Sequence, residues 1–266
     1  MAMKVAYKLS TVVAFVMLVQ AAFGLVFRRQ YRDVEWIAVS WLGNDWVTLV
    51  VALPLLSAGI VLTRGGSVRG LLLLLGTLAY ATYNSAYYLF GAALNAFFPL
   101  YAVTVIVAAA ALILTLSGIA PSEIARRFRA VTPARLVGGY FVFVGLSLAG
   151  VWLGMWSAYV FAGRPTPIEP EAFKLVAALD TVLMVPTLAT GGVLLWRKNA
   201  WGYIVSAIAG VQGSLYLIVL TINSSIAVAR GLTTGPGEVP MWGGLAAMTT
   251  AATWLLLGNA DGRMEA

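Results

Sequence analysis

Long stretches without a charged residue constrain this chain more than any other feature. A helix needs roughly 20 apolar residues to cross about 30 Å of hydrocarbon, and eight stretches of that kind occur. They lie near residues 9–27, 43–63, 70–92, 97–118, 135–160, 174–196, 200–227 and 240–258. Only 10% of the 266 residues are charged and 61% are hydrophobic, which excludes a soluble globular domain. The sequence therefore predicts an all-α, polytopic membrane protein with eight transmembrane helices.

Two residue types are missing altogether, because the chain contains no cysteine and no histidine. It therefore forms no disulfide, no thiolate nucleophile, no imidazole ligand to haem and none of the usual zinc sites. Walker, GxSxG and HExxH motifs are also missing, as are paired Asp-rich motifs for magnesium diphosphate and a lysine in the seventh stretch for a retinal Schiff base. We expect no cofactor and no resident metal.

Positively charged loop residues predict the orientation, because cytoplasmic loops carry an excess of Lys and Arg. With a cytoplasmic N-terminus, eleven of the 17 cations fall inside, and most of the others lie beside acidic residues. We expect N-in, C-in topology with the lipid bilayer as partner. The net charge of +7 then follows from topology, and we expect no nucleic-acid partner. The inside cations are Lys4, Lys8, Arg64, Arg69, Arg126, Arg127, Arg129, Arg135, Arg197, Lys198 and Arg263.

An offset of 132 residues, which carries Pro54 onto Pro186, aligns the second stretch with the sixth. Six of 17 positions are identical between residues 54–70 and 186–202. This match favours an internal duplication, although the shared use of Leu, Val and Gly in membrane helices is an alternative explanation. Polar residues at the same offset have diverged, and the pairs are Gln20/Trp152, Thr48/Asp180, Tyr80/Gln212 and Asn84/Tyr216.

The duplication predicts two parallel four-helix repeats, residues 1–119 and 135–266, since four crossings return the chain to its starting side. A basic cytoplasmic linker, residues 120–134, joins them. Apolar residues interrupt its cations in a pattern typical of a short helix lying on the membrane face. These apolar residues are Ile124, Phe128 and Val131.

Asp180 is the residue most informative about function. It lies well inside the sixth stretch, where an ionised carboxylate is costly unless it is paired, protonated or hydrated. Its helical face carries mostly small or polar residues, which predicts that it points into the bundle. Pro186 frees the carbonyl near Val182 and predicts a kink. Such a carboxylate can bind a cation, accept a proton or hold a ligand amine; the alternative is a structural hydrogen bond to a neighbouring helix.

Asp45 is a second acidic residue of interest, and it lies near the start of the second stretch. It follows Gly43 and Asn44, where a carboxylate commonly caps a helix and interacts favourably with its dipole. We expect this capping role for Asp45, with a place in a ligand site as the alternative.

Further polar and aromatic residues fall in the same half of the membrane as Asp180. The third stretch carries a stripe of Tyr and Asn, the seventh carries Gln and Tyr, and the fifth carries Trp. Together they predict an outward-facing cavity centred on Asp180, with core packing as the alternative for each aromatic residue. The candidate ligand-binding residues are Asp180, Asn84, Tyr87, Tyr80, Gln212, Tyr216, Trp156, Trp152, Gln20 and Asp45.

Two segments resemble families of bacterial multi-pass membrane proteins without an assigned activity. The first runs from Leu179 and Asp180 to Pro186 and continues through Leu194–Arg197 and Trp201–Tyr203. The second is the aromatic run Tyr83–Gly91, which leads to Asn95. The resemblance implies a bacterial inner-membrane location and carries over no catalytic residues.

Three functions remain open from the sequence. The first is binding or transport of a small molecule or cation at Asp180. The second is a lipid- or polyprenyl-modifying enzyme with Asp180 as general base, which requires Asp45 close to it. The third is a structural or accessory subunit whose polar groups join helices. A polar cavity would favour the first function, and a site that opens to lipid would favour the second. A solid bundle in which every polar group is paired would favour the third.

Overall fold

A computed structural model describes residues 2–167, 169–233, 235–260 and 262, and within them the chain is helical, without β-strands. Arg263, one of the predicted inside cations, lies outside the described residues. A 3₁₀ turn, Arg28–Gln30, follows the first helix. The α-helices are α1 Ala2–Val26, α2 Glu35–Val47, α3 Leu53–Arg64, α4 Val68–Gly91, α5 Phe98–Ser117, α6 Pro121–Arg126, α7 Ala134–Ala162, α8 Pro170–Leu179, α9 Val185–Trp196, α10 Ala200–Ala229 and α11 Val239–Gly258.

Six helical segments in the described part of the chain are long and apolar enough to cross a membrane. They are Met3–Val26, Glu35–Arg64, Phe98–Ser117, Ala134–Ala162, Pro170–Trp196 and Ala200–Ala229. The eight spans predicted from the sequence also include α4 and α11, which have 24 and 20 residues. Glycine, threonine and aromatic residues lower the hydropathy of both helices. Their crossing of the membrane therefore stays a prediction.

Two of these segments contain a π-helical stretch, and in both a proline follows it. Thr48–Ala52 joins α2 to α3 ahead of Pro54, and Asp180–Met184 joins α8 to α9 ahead of Pro186. Because proline has no N–H, the carbonyl four residues before it loses its helical partner. A wider π turn is one way in which a helix adjusts to that loss. The helix disturbance predicted near Val182 coincides with the π segment Asp180–Met184.

Helix starts in the two halves of the chain fall 132 residues apart. α1 begins at residue 2 and α7 at 134, the π segments begin at 48 and 180, and α4 and α10 begin at 68 and 200. Two helix starts depart from this offset: α8 begins at residue 170, three residues later than α2 at 35 predicts, and α11 begins at 239, nine residues later than α5 at 98 predicts. The first and third helical segments and the π segments therefore match in position, and the fourth segment is displaced most.

Close helix contacts recur at the same offset. A Cβ added to Gly70 would lie 2.7 Å from the backbone nitrogen of Thr63, and one added to Gly202 would overlap the backbone nitrogen of Leu195. Only glycine lets two helix backbones approach so closely. A second matching pair of tight contacts joins Gly59 to Leu74 and Gly191 to Ser206.

The core of the bundle lies around α4 and α10, which pack against each other. α4 also packs on α3 and α5, while α10 packs on α9, α11 and α2. One cluster of buried apolar side chains joins the two halves of the chain, and its members include Leu71, Leu75, Phe141, Leu188, Ile208 and Leu256. α4 therefore contacts both halves, which places its tyrosines between them.

Both described ends of the chain lie on one side of the bundle, which we call the linker side because residues 120–134 lie there. Met3 packs beside Gly118 at the end of α5. The Arg69 guanidinium donates to the carbonyl oxygens of Gly258, at 2.9 Å, and Ala260, at 2.6 Å. An even number of helix crossings between the ends agrees with this arrangement.

The linker contains the short helix that the sequence predicts, α6. Ile124 is buried, and the ring of Phe128 packs on Tyr203 with centroids 4.5 Å apart. Arg126 forms an ion pair with Glu123 on the exposed side of α6. Val131 is 79% exposed. It lies beyond the end of α6, where the chain turns towards α7.

Candidate functional site

Asp180 lies at the start of the π segment between α8 and α9, and its side chain is fully buried, as predicted. Its Oδ1 accepts a hydrogen bond from the Tyr83 hydroxyl at 2.6 Å. Its Oδ2 accepts from Trp152 Nε1 at 3.0 Å and from the Tyr216 hydroxyl at 3.2 Å. α4, α7 and α10 therefore each supply one neutral donor to a single carboxylate.

Asp45 forms a second buried carboxylate centre, and its predicted capping role is wrong. The helix begins ten residues earlier, at Glu35, so Asp45 lies inside α2. The Tyr88 hydroxyl donates to Oδ1 and the Tyr31 hydroxyl donates to Oδ2, both at 2.8 Å. Burial, followed by the charge of Asp45, raises the pKa of Tyr31, which keeps its hydroxyl protonated as a donor. The carboxylate packs directly against Gly24 of α1.

An aromatic cluster covers Asp45 on the side away from the linker. The rings of Trp41 and Tyr88 are 4.8 Å apart, and those of Tyr88 and Tyr101 are 5.0 Å apart. Asp33, in the loop before α2, accepts hydrogen bonds from Trp41 Nε1 and from the backbone N–H of Ala93, both at 2.9 Å. Asp33 thereby links the loop before α2, the loop after α4 and α2 itself. These contacts lie on the side of Asp45 away from the linker.

A layer of neutral polar side chains lies one turn deeper than Asp45. Gln20, Thr48 and Asn84 are all at least 94% buried, and Tyr80 is 99% buried. Gln20 Oε1 and the Tyr80 hydroxyl have no hydrogen-bond partner, although the hydroxyl faces Thr48. Orphaned buried polar atoms are uncommon in folded proteins and require an explanation.

The two carboxylates do not share a site. Tyr83 binds Asp180 and Tyr88 binds Asp45, and these tyrosines are five residues apart on α4. Five residues rotate a side chain by about 140° around the helix axis and move it about 7.5 Å along that axis. Asp45 and Asp180 therefore contact different sides of α4.

The structure brings some of the predicted site residues together and separates others. Asp180, Trp152 and Tyr216 form one hydrogen-bonded group, and Gln20 and Tyr80 lie on the side of the bundle that holds Asp45. Trp156 is 49% exposed and packs edge-on against Phe161, away from both groups. Tyr87 packs against Trp41 with ring centroids 4.9 Å apart. Gln212 is buried in α10 and, like Asn84, forms no hydrogen bond with either carboxylate.

Three hydrogen-bond donors to the carboxylates, Tyr31, Tyr83 and Tyr88, are absent from the predicted set, as is the loop residue Asp33. Tyr83 and Tyr88 belong to the tyrosine-rich third stretch, and their spacing of five residues was the available signal, because it places them on different faces of one helix. Tyr31 and Asp33 lie in a loop, where sequence periodicity gives no direction for a side chain.

Two surface grooves have linings that include neither carboxylate. One, of about 490 Å³, lies between α10 and α11 and is lined by Ile218, Ala246, Ala247, Thr250, Ala251 and Trp254. The other, of about 450 Å³, lies around residues 25–30. Asp180 has no exposed surface in this conformation. A ligand therefore reaches its carboxylate only if a neighbouring side chain moves.

Comparison with protein-family models, with curated proteins and with solved structures finds no match for this chain. A function must therefore be inferred from the chemistry of the two carboxylate centres. In the described part of the chain, no three acidic residues lie close enough together to hold a metal ion.

Proposed function

We propose that this chain is an integral protein of the bacterial inner membrane that binds, and moves across the membrane, a small cation or a small molecule carrying a positive charge. Asp180 supplies the negative charge for that ligand. The eight helices form two parallel four-helix repeats with both ends in the cytoplasm. The matching helix starts, π segments and glycine contacts at an offset of 132 residues support the repeat.

The observation that carries this function is the set of partners around Asp180. Its three hydrogen-bond donors, Tyr83, Trp152 and Tyr216, are all neutral. Neutral donors reduce the cost of an ionised carboxylate, but they leave its charge uncompensated inside an apolar bundle. A proton or a bound cation supplies the missing positive charge. Intramembrane carboxylates of this kind commonly mark ion and substrate pathways.

The outer half of α7 forms a thin wall beside Asp180. Trp152 covers Asp180 Oδ2, while its neighbours Val151 and Leu153 are exposed. No atom lies within 4 Å of a Cβ added to Gly150 or Gly154, so this part of α7 has little packing to hold it in place. A small outward movement of α7 withdraws Trp152 and opens a route to the carboxylate.

Lipid or polyprenyl modification is less well supported by this geometry. A general-base mechanism with two carboxylates requires both within reach of one substrate. Asp45 and Asp180 contact different sides of α4, and each is enclosed by its own tyrosines. An accessory role requires that buried polar groups be paired, whereas Gln20 Oε1 and the Tyr80 hydroxyl are not.

The test is a thermal-shift screen of purified wild-type protein and Asp180→Asn. The probes are methylammonium, tetramethylammonium, guanidinium and the alkali-metal chlorides at constant ionic strength. We expect at least one cation to raise the wild-type Tm by about 5 °C when it is present far above its Kd. That rise disappears in Asp180→Asn, because the amide carries no charge.

Asp33→Asn is the matched control, since it makes the same change at a carboxylate in a loop and should keep the full response. The binding function is wrong if every cation shifts the Tm of wild type and Asp180→Asn equally. Fluorescence quenching of Trp152, compared between wild type and Trp152→Phe, reports occupancy independently of stability.

A further inference from the structure

Three helices place polar side chains in two successive layers around Asp45. In the first layer, the Asp45 carboxylate of α2 packs against Gly24 of α1 and accepts from Tyr88 of α4. Each helix then presents a polar residue about one turn closer to the linker side. These residues are Gln20 on α1, Thr48 in the π segment and Asn84 on α4, and Tyr80 lies one turn further along α4.

The second layer is buried and incompletely paired. Gln20, Thr48, Asn84 and Tyr80 are between 1% and 6% exposed. Gln20 Oε1 and the Tyr80 hydroxyl have no hydrogen-bond partner. Both are oxygens, and both lie in a layer whose nearest charge is the Asp45 carboxylate. The layer therefore offers free lone pairs inside an apolar bundle.

We propose that this second layer is a binding site for an inorganic monovalent cation of the sodium type. The amide and hydroxyl oxygens of Gln20, Thr48, Asn84 and Tyr80 supply the ligands. Asp45, one turn away, supplies the compensating negative charge. Hard cations prefer oxygen ligands of these kinds.

The charge of the layer decides which ion it takes. Asp45 is the acidic side chain one turn away, and it already accepts hydrogen bonds from Tyr31 and Tyr88. A single carboxylate balances one positive charge, whereas divalent sites usually contain several carboxylates. Anions are disfavoured, because the unpaired atom of Gln20 is a carbonyl oxygen and the nearest charge is negative.

The corresponding positions of the second half carry side chains that are paired, which shows how the two halves differ at this layer. At the 132-residue offset, Gln20, Thr48 and Asn84 correspond to Trp152, Asp180 and Tyr216. In the second half Trp152 and Tyr216 both donate hydrogen bonds to Asp180. In the first half the shorter, neutral side chains leave Gln20 Oε1 without a partner. This cation site is therefore separate from Asp180 and does not depend on a ligand there.

The test measures the Tm of the full-length protein and the binding of ²²Na⁺ as NaCl replaces N-methyl-D-glucamine chloride, whose cation is too large for the layer. We expect a saturable rise in the wild-type Tm of about 5 °C. Gln20→Leu, which keeps the side-chain volume but removes the carbonyl ligand, loses the rise and the bound ²²Na⁺. Ser10→Ala is the matched control on α1, because the Ser10 hydroxyl is paired with the Ala6 carbonyl oxygen at 2.8 Å.

Tyr80→Phe keeps the test decisive if Gln20→Leu does not fold, because it removes one oxygen and keeps the ring. It should weaken ²²Na⁺ binding at least about tenfold. Equal binding by wild type and Tyr80→Phe overturns the proposal, as does an equal Tm in NaCl and N-methyl-D-glucamine chloride. A sodium response that is lost in Asp180→Asn but kept in Gln20→Leu assigns the ion to Asp180 and also overturns it. A sodium response that is lost in Gln20→Leu but kept in Asp180→Asn supports the site, whichever ligand Asp180 binds.

Discussion

At the scale of single residues, the two oxygens of Asp180 differ in their hydrogen bonds. Oδ1 has one donor, Tyr83 at 2.6 Å, whereas Oδ2 has two, Trp152 and Tyr216. Removing a sole donor leaves a buried acceptor unpaired, and removing one of two does not. The donors are therefore unequal in their effect on stability, although all three side chains touch the same carboxylate.

Tyr83→Phe should accordingly lower the free energy of unfolding by about 1–3 kcal/mol, and Tyr216→Phe by about 0.5–1.5 kcal/mol. The measurement is equilibrium unfolding in mixed micelles of a mild detergent and SDS. Each substitution removes a single hydroxyl and keeps the ring, so packing is conserved in both variants. Equal losses, or a larger loss for Tyr216→Phe, would show that the Tyr83 hydrogen bond is not the principal one.

Burial of Asp180 could be predicted from the sequence, because the small and polar residues on its helical face exclude a position facing lipid. The environment of Asp45 could not. The uncharged run begins near residue 43, but the helix extends back to Glu35, whose negative charge is favourable in a first helical turn. The hydrogen bond from Tyr31 then depends on how a loop folds over α2, which helical periodicity does not encode.

At the scale of helices, the tight turns between α3 and α4 and between α9 and α10 depend on glycine. Gly70 and Gly202 each lie against the backbone of the preceding helix, next to Thr63 and Leu195. Backbone atoms cannot rotate away as a side chain can, so an added methyl group forces the helices apart. Because the two contacts match, the two halves of the chain should respond alike.

Gly70→Ala and Gly202→Ala should each destabilise the protein by about 1–3 kcal/mol through overpacking. Gly150→Ala is the control, since nothing lies within 4 Å of the new Cβ, and alanine favours a helix over glycine by about 0.5–1 kcal/mol. Its Tm should stay unchanged or rise. A Tm drop in only one of the two hairpin variants would argue against equivalent halves.

Most helix positions agree with the uncharged stretches, because the lengths needed to cross a bilayer and the intervening charges define them, whereas α1 and α2 begin seven and eight residues before their stretches. α10, predicted as 200–227, runs from Ala200 to Ala229. The π segments have a weaker signal, since Pro54 and Pro186 predict a disturbed helix without specifying its form. α11, which lines one side of the groove beside α10, begins nine residues later than the 132-residue offset predicts. A glycine-rich loop precedes it.

At the scale of the whole molecule, basic residues gather on the linker side. Arg64, Arg69 and Arg197 lie in or beside the two inter-helix turns on that side, and Arg126 lies on α6. The positive-inside rule assigns such a side to the cytoplasm. Anionic lipid headgroups of the inner leaflet would then face these residues, at a favourable energy of about 1 kcal/mol for each cation near the surface.

This orientation predicts which introduced cysteines a membrane-impermeant maleimide can reach in intact cells, and the absence of native cysteine removes any background. Leu94→Cys, between α4 and α5, and Pro167→Cys, between α7 and α8, should react, because both residues are exposed on the side opposite the linker. Val131→Cys, equally exposed in the linker, should react only in inverted vesicles. If Val131→Cys alone were labelled in intact cells, the orientation would be opposite to the predicted one. Labelling of Leu94→Cys and Val131→Cys from the same side would mean that α5 does not cross, and the two-repeat arrangement would then be wrong.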